Sequence, residues 1–225
     1  MNQQTTAVIF DLDGTLLDTL DDLAASVNHV MTLHSFPSHT REEVRNMVGN
    51  GIYVLFEKAV PEGRTNPAFD ACIREFQSYY AKHMQEKTAP FPGILSLLAK
   101  LAAENFSLAV VSNKFDAAVK SLCQDYFSPY IQTAIGEAPG TARKPAPDTV
   151  FAVMEQLHVT REQCIYVGDS EVDIATAKNA GIPCISVDWG FKSRAFLARH
   201  GASKIVSNIE ELMECIRIFA LNTRS

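Results

Sequence analysis

Six short apolar runs of strand length, rich in β-branched residues, punctuate this chain: Ala7–Phe10, Ser107–Val111, Ile131–Ile135, Gln163–Val167, Pro183–Val187 and Lys204–Val206. A run that is hydrophobic throughout, without alternation, suits a strand covered on both faces. From the second run onward most of the gaps carry helical spacing, clearest over Thr149–Leu157 and Ile174–Ala180. Strands alternating with helices predict a doubly wound, Rossmann-like α/β fold around a parallel sheet. One gap breaks the rhythm. More than ninety residues separate the first run from the second, far beyond what a single crossover needs.

That gap is itself patterned for helices. Leu17, Leu20, Leu23, Ala24, Val27, Val30 and Met31 follow helical spacing, with Asp18 as the candidate N-cap. Further helices are expected over Thr40–Val48 and Ile52–Val60. A fourth is expected after Asn66-Pro67, read as N-cap and first turn, with Phe69, Cys72, Ile73, Phe76 and Tyr80 turned inward. Ala89-Pro90-Phe91-Pro92-Gly93 then stops the helical pattern. The expected organisation is an α/β catalytic core from residues 1–16 and 90–225, with residues 17–89 inserted as a helical cap. Hinges fall near Leu16–Leu17 and Pro90–Gly93.

Composition narrows the partners. The net charge of −6 over 225 residues opposes a broad nucleic-acid surface, because neutralising phosphates needs clustered Lys and Arg. The five cysteines contain no C-x-x-C, so neither a disulfide framework nor a zinc site is expected, and Cys123, Cys164 and Cys184 read as small hydrophobes. No window holds about 18 uninterrupted apolar residues, and no basic region leads into an apolar stretch at the start, so neither a membrane span nor a signal peptide is expected. The expectation is a cytoplasmic protein, monomer or homodimer, with a small-molecule partner.

The first apolar run leads straight into Asp11-Leu12-Asp13-Gly14-Thr15. Two carboxylates at the carboxyl end of a buried strand repel each other where a parallel sheet places its ligand crevice. A divalent cation is the simplest compensation, and hard oxygen donors favour magnesium. Three later segments put polar groups at strand ends or in the loops beyond: Ser112-Asn113-Lys114, Arg143-Lys144-Pro145-Ala146-Pro147-Asp148, and Gly168-Asp169-Ser170-Glu171-Val172-Asp173. If the chain turns helical after Gly168, Asp169 and Asp173 share one helix face.

In that order the four segments resemble the motifs of the haloacid dehalogenase superfamily, in its phosphatase form, and the resemblance covers essentially the whole chain. It implies that Asp11 attacks phosphorus and that Asp13 serves as general acid and then general base. It implies that Ser112 binds the transferring phosphoryl group, with Asn113 beside it in substrate contact, and that Lys144 sets its charge against the phosphate and Asp11. The Thr15 hydroxyl can hold a phosphate oxygen, and Gly14 permits close backbone approach. The implied metal is Mg2+, held by Asp11, Asp169 and the main-chain carbonyl of Asp13, with Asp173 behind them orienting Lys144 or a metal-bound water.

Within the superfamily the helical insertion matches one cap type. Asp11–Asp22, Val48-Gly49-Asn50-Gly51 and Val187–Phe191 look most like bacterial phosphoglycolate phosphatases. The resemblance implies a small phosphorylated metabolite as substrate, with Gly49, Asn50 and Gly51 as the loop that reads the leaving group. The same frame serves pyrophosphatases, sugar phosphatases and a phosphosugar mutase. Thr15 after Gly14 leans toward hydrolysis.

Overall fold

The computed structural model describes residues 5–223. The chain gathers into two compact units, one of the residues up to Leu16 with those from Pro90 on, the other Leu17–Ala89. In chain order the strands are β1 (Ala7–Phe10), β2 (Leu17–Asp18), β3 (Ala89–Pro90), β4 (Ser107–Phe115), β5 (Thr133–Glu137), β6 (Cys164–Gly168), β7 (Cys184–Val187) and β8 (Ile205–Val206). The helices are α1 (Leu20–Leu33), α2 (Arg41–Met47), α3 (Gly51–Ala59), α4 (Phe69–His83), α5 (Ile94–Ala103), α6 (Asp116–Phe127), α7 (Asp148–Leu157), α8 (Glu171–Ala180), α9 (Arg194–Arg199) and α10 (Ile209–Thr223).

In the first unit six strands form one sheet, in the order β5-β4-β1-β6-β7-β8, and its pairings are parallel. This is the doubly wound α/β fold that the continuous apolar runs predict. Every residue of β1 and β6 is buried, because helices cover the sheet and leave no solvated face for polar alternation. On one face Ile9, Val111 and Tyr166 pack with Val150 and Val153 of α7 and Ala177 of α8. From β1 the chain builds outward to β4 and β5, then returns to build β6, β7 and β8 on the other side. The carboxyl ends of β4, β1 and β6 therefore flank the point where strand order reverses, the usual seat of a ligand in such sheets.

The strand bounds depart furthest from expectation at β4 and β5, and by a single residue at the ends of β6 and the starts of β7 and β8. β4 continues past Val111 to Phe115, because its pairing with β5 resumes at Phe115 opposite Glu137 after a register shift. The shift leaves Ser112-Asn113-Lys114 in an irregular stretch whose side chains are re-aimed. β5 starts at Thr133 instead of Ile131, since the Ile131 amide still donates to Phe127 O in the turn closing α6.

The second unit is built from α1 to α4, with β2 and β3 paired as a two-stranded ribbon. Its α4 buries Phe69, Cys72, Ile73, Phe76 and Tyr80, the face expected from spacing. The Phe76 ring lies 5.1 Å from that of Phe56 on α3. Helix starts were less legible. The cap position of α1 is Thr19, while Asp18 belongs to β2 and accepts the Leu20 amide at 3.4 Å. Asn66 is likewise not the cap of α4: its side chain accepts the Ala68 amide at 2.9 Å, a local turn that delays the helix to Phe69. Thr40 and Glu43 form a reciprocal capping box at α2. Gly49 and Gly51 both hold positive φ, at 116° and 78°, and turn the chain from α2 into α3.

Candidate active site

β1 delivers Asp11, whose amide donates to Val167 O at 2.9 Å and so continues the ladder one residue past the strand. The neighbouring β6 ends at Gly168 and delivers Asp169, and Asp173 follows on the first turn of α8. All three carboxylates are buried, and each offers an oxygen within 4.8 Å of the others. Lys144 reaches in from the loop before α7, itself only 3% exposed. Its Nζ stands 2.9 Å from Asp11 Oδ1 and 2.8 Å from Asp173 Oδ1, and it donates to Val111 O at 3.2 Å and to the Tyr166 hydroxyl at 3.1 Å.

Three buried acids around one buried cation leave an excess of negative charge. Burial pushes the Asp11 carboxyl from its ordinary 3.8 up to about 7; the charges of Asp173 and Asp13 add to this and Lys144 opposes it. Burial also pushes Asp169 well above the usual carboxylate range, with Asp173 and Asp11 adding to it. Burial alone would pull the Lys144 ammonium down, yet Asp11 and Asp173 hold it well above its ordinary value, so it stays charged.

The donor set fits a hard divalent cation, and the hydrogen bonds indicate which acids have room for one. Asp173 is filled: Oδ1 accepts from Lys144 and, at 3.2 Å, from Tyr166, while Oδ2 accepts from Ser170 N at 3.1 Å and Ser170 Oγ at 2.6 Å. Each carboxylate oxygen offers about two acceptor sites, so Asp173 has none to spare. Asp169 accepts one bond on each oxygen, from Thr15 Oγ1 at 3.3 Å and from Phe191 N at 2.6 Å. Asp11 accepts Leu12 N at 2.7 Å and Lys144 on Oδ1 alone. Its Oδ2 has no hydrogen-bond partner among the described residues.

The other singled-out residues fall around this cluster. The Asp13 carboxylate is not one of the three that converge, and its Oδ1 lies 2.8 Å from Lys114 Nζ. The Thr15 hydroxyl is turned to Asp169. Ser112 is buried and its Oγ accepts the Lys114 amide at 3.2 Å. Asn113 Nδ2 donates to Lys144 O at 3.1 Å, tying the end of β4 to the lysine's loop. Gly14 has φ +86°, and a Cβ there would lie 2.5 Å from Asp169 Oδ2, so only glycine lets the two loops approach. Gly49, Asn50 and Gly51 belong to the helical unit. There Arg41 is held by Asp21 at 2.6 Å, Arg45 lies 3.3 Å from Glu42, and Lys58 donates to Asn46 O at 3.5 Å.

Sequence reasoning assigned no role to Lys114, Tyr166 or the segment Trp189-Gly190-Phe191. A signal existed for Lys114, a cation directly after Ser112-Asn113 at a strand end. Tyr166 reads as one more apolar residue of β6, and only its hydroxyl, which needs a partner when buried, hints otherwise.

Comparison with known proteins places this architecture. Residues 8–187 match the family model of the haloacid dehalogenase-like hydrolases, and the chain belongs to that family. Within it the similarity runs to phosphoglycolate phosphatases. The chain is 31% identical over 218 residues to the phosphoglycolate phosphatase of Yersinia pestis, covering 95% of this chain and 94% of that one. It is 33% identical over 214 residues to that of Rhodospirillum rubrum, covering 92% and 88%. A crystal structure from Lactobacillus delbrueckii subsp. bulgaricus, provisionally described as a phosphoglycolate phosphatase, superposes with a TM-score of 0.90. It is 39% identical, over 95% of this chain and 98% of that one. Among the described residues no helix is long and apolar enough to cross a membrane.

Proposed function

We propose that this chain is a magnesium-dependent phosphomonoester hydrolase working through a phosphorylated Asp11, with phosphoglycolate or a similarly small phosphate ester as substrate. The observation that carries the chemistry is the asymmetry of Asp11. Oδ1 is pinned by Lys144 and the Leu12 amide, while Oδ2 is open, as an oriented nucleophile needs to be.

In this reading Asp11 Oδ2 bonds to phosphorus as the ester P–O bond breaks, and Asp13 gives its proton to the departing oxygen. Water then attacks the phosphorus, its proton passes to Asp13, and the bond to Asp11 breaks to release phosphate. Lys144 holds Asp11 in aim and sets positive charge beside the transferring group, while the Ser112 hydroxyl holds a phosphoryl oxygen and Thr15, turned to Asp169, steadies that carboxylate instead. Asp11, Asp169 and the main-chain carbonyl of Asp13 would hold the magnesium, which would supply further positive charge against the phosphoryl oxygens. Asp173 keeps Lys144 in place. Residues 17–89 act as the cap, and Gly49-Asn50-Gly51 reads the leaving group through main-chain amides that suit a carboxylate.

The family and the names of the relatives support phosphate-ester hydrolysis, and the substrate follows the relatives. A turnover screen over phosphoglycolate, pyrophosphate, sugar phosphates and nucleotides tests both. Activity that vanishes with a chelator, returns with magnesium and favours phosphoglycolate is expected. Full activity without metal, or no preference among small esters, contradicts the respective part.

A further inference from the structure

Both oxygens of Asp169 are fixed from outside its own element. Thr15 Oγ1 holds Oδ1 and the Phe191 amide holds Oδ2, at 3.3 and 2.6 Å. Phe191 closes a three-residue segment after β7, and each of the three reaches the loops that carry Asp11 and Asp169. The Trp189 indole Nε1 donates to Thr15 O at 3.2 Å, bridging back to the loop that follows β1. Gly190 packs so tightly that a Cβ on it would lie 2.2 Å from Gly14 O and 2.5 Å from Asp169 Oδ2. The start of the segment is anchored too. The Asp188 amide donates to Val206 O at 3.1 Å, and Asp188 Oδ2 accepts from Ser207 Oγ at 2.8 Å and from Arg194 Nη1 at 3.0 Å.

We propose that Trp189-Gly190-Phe191 is a positioning segment for the metal site, setting the side-chain geometry of Asp169 and its spacing from Asp11. The physical case is one of preorganisation. A carboxylate with free rotation must be ordered by the incoming cation, whereas one held on both oxygens already presents its remaining lone pairs. Gly190 makes the hold possible by letting the loop main chain lie against Gly14 and Asp169 without a side chain between them. Trp189 keeps the loop after β1 at that height. None of the three needs to touch substrate or the reacting atoms.

The inference rests on magnesium binding at Asp11 and Asp169, and the test separates the two ideas. Trp189 is the chain's single tryptophan, so its fluorescence can follow a magnesium titration of the intact protein, with calorimetry as the second measurement. Wild type is expected to bind. Gly190→Ala, whose methyl must displace Asp169 or Gly14, is expected to weaken magnesium by about tenfold or more, the range typical for partners that orient metal ligands. Trp189→Phe, read by calorimetry, removes the indole donor alone and is expected to weaken it several-fold, with kcat recovering at saturating magnesium. If Gly190→Ala does not fold, Trp189→Phe decides. Wild-type magnesium affinity in a folded Gly190→Ala or in Trp189→Phe overturns the positioning role. Failure of the wild type itself to bind magnesium overturns the metal site first.

Discussion

Lys144 Nζ lies within hydrogen-bond distance of four oxygens, two of them carboxylate, and balances buried acids. Removing one member of a buried charge cluster typically costs about 3–5 kcal/mol, because the partners stay buried and uncompensated. Lys144→Met should therefore lower the unfolding free energy of the metal-free protein by that order, read as a lower urea midpoint, with a larger loss at higher pH, where Asp11 cannot recover by protonation. An unchanged midpoint would mean that Asp11 and Asp173 are solvated. A second expectation follows from the raised Asp11. Unfolded, the group titrates near 3.8; folded, near 7. Its stabilising contribution in the metal-free protein is thus complete below the unfolded value and lost as pH rises through about 7. Magnesium needs the ionised form, so its increment in Tm should grow across the same window, which a thermal-shift series with and without magnesium checks. An equal increment on both sides contradicts the assignment of Asp11 as ligand. At this scale the sequence was most informative where acids follow strands, since a carboxylate there is costly without a partner. Asp11, Asp169 and Asp173 do meet, with Lys144 among them. It was least informative for Lys114, because a lysine in a loop reads as solvated until the structure places it 2.8 Å from Asp13.

Continuous hydrophobicity identified the strands because they are covered on both faces, and the inward face of α4 followed from its period. The starts of α1 and α4 and the end of β4 were not legible, for a shared reason. Both depend on where a few main-chain hydrogen bonds go, and Asp18, Asn66 and the pairing of Phe115 with Glu137 settle that locally. The turn between α2 and α3 is the element on which substrate choice rests in this account. Asn50→Ala should lower kcat/KM for phosphoglycolate by at least about tenfold, roughly 1.4 kcal/mol of transition-state binding. It should spare p-nitrophenyl phosphate, whose bulky leaving group cannot be enclosed. Equal losses on both substrates in a stably folded variant would make Gly49-Asn50-Gly51 a structural turn and nothing more.

At the scale of the molecule, the alternation of strands and helices was enough for the parallel sheet, but not for its strand order. Order is set by pairings such as Ile9 with Ala109 on one side and Tyr166 on the other, which no local pattern encodes. That order carries the functional argument, because it brings segments more than a hundred and fifty residues apart, around Asp11 and Asp169, to the same edge. The central claim is that Asp11 carries the phosphoryl group. Its most direct test is acid quenching of the magnesium-loaded enzyme during turnover, followed by peptide mass mapping. One phosphate on the peptide containing Asp11 is expected, absent from Asp11→Asn, which should also be inactive while keeping the wild-type fold. Sustained turnover by Asp11→Asn, or phosphate on a different residue, would contradict the account.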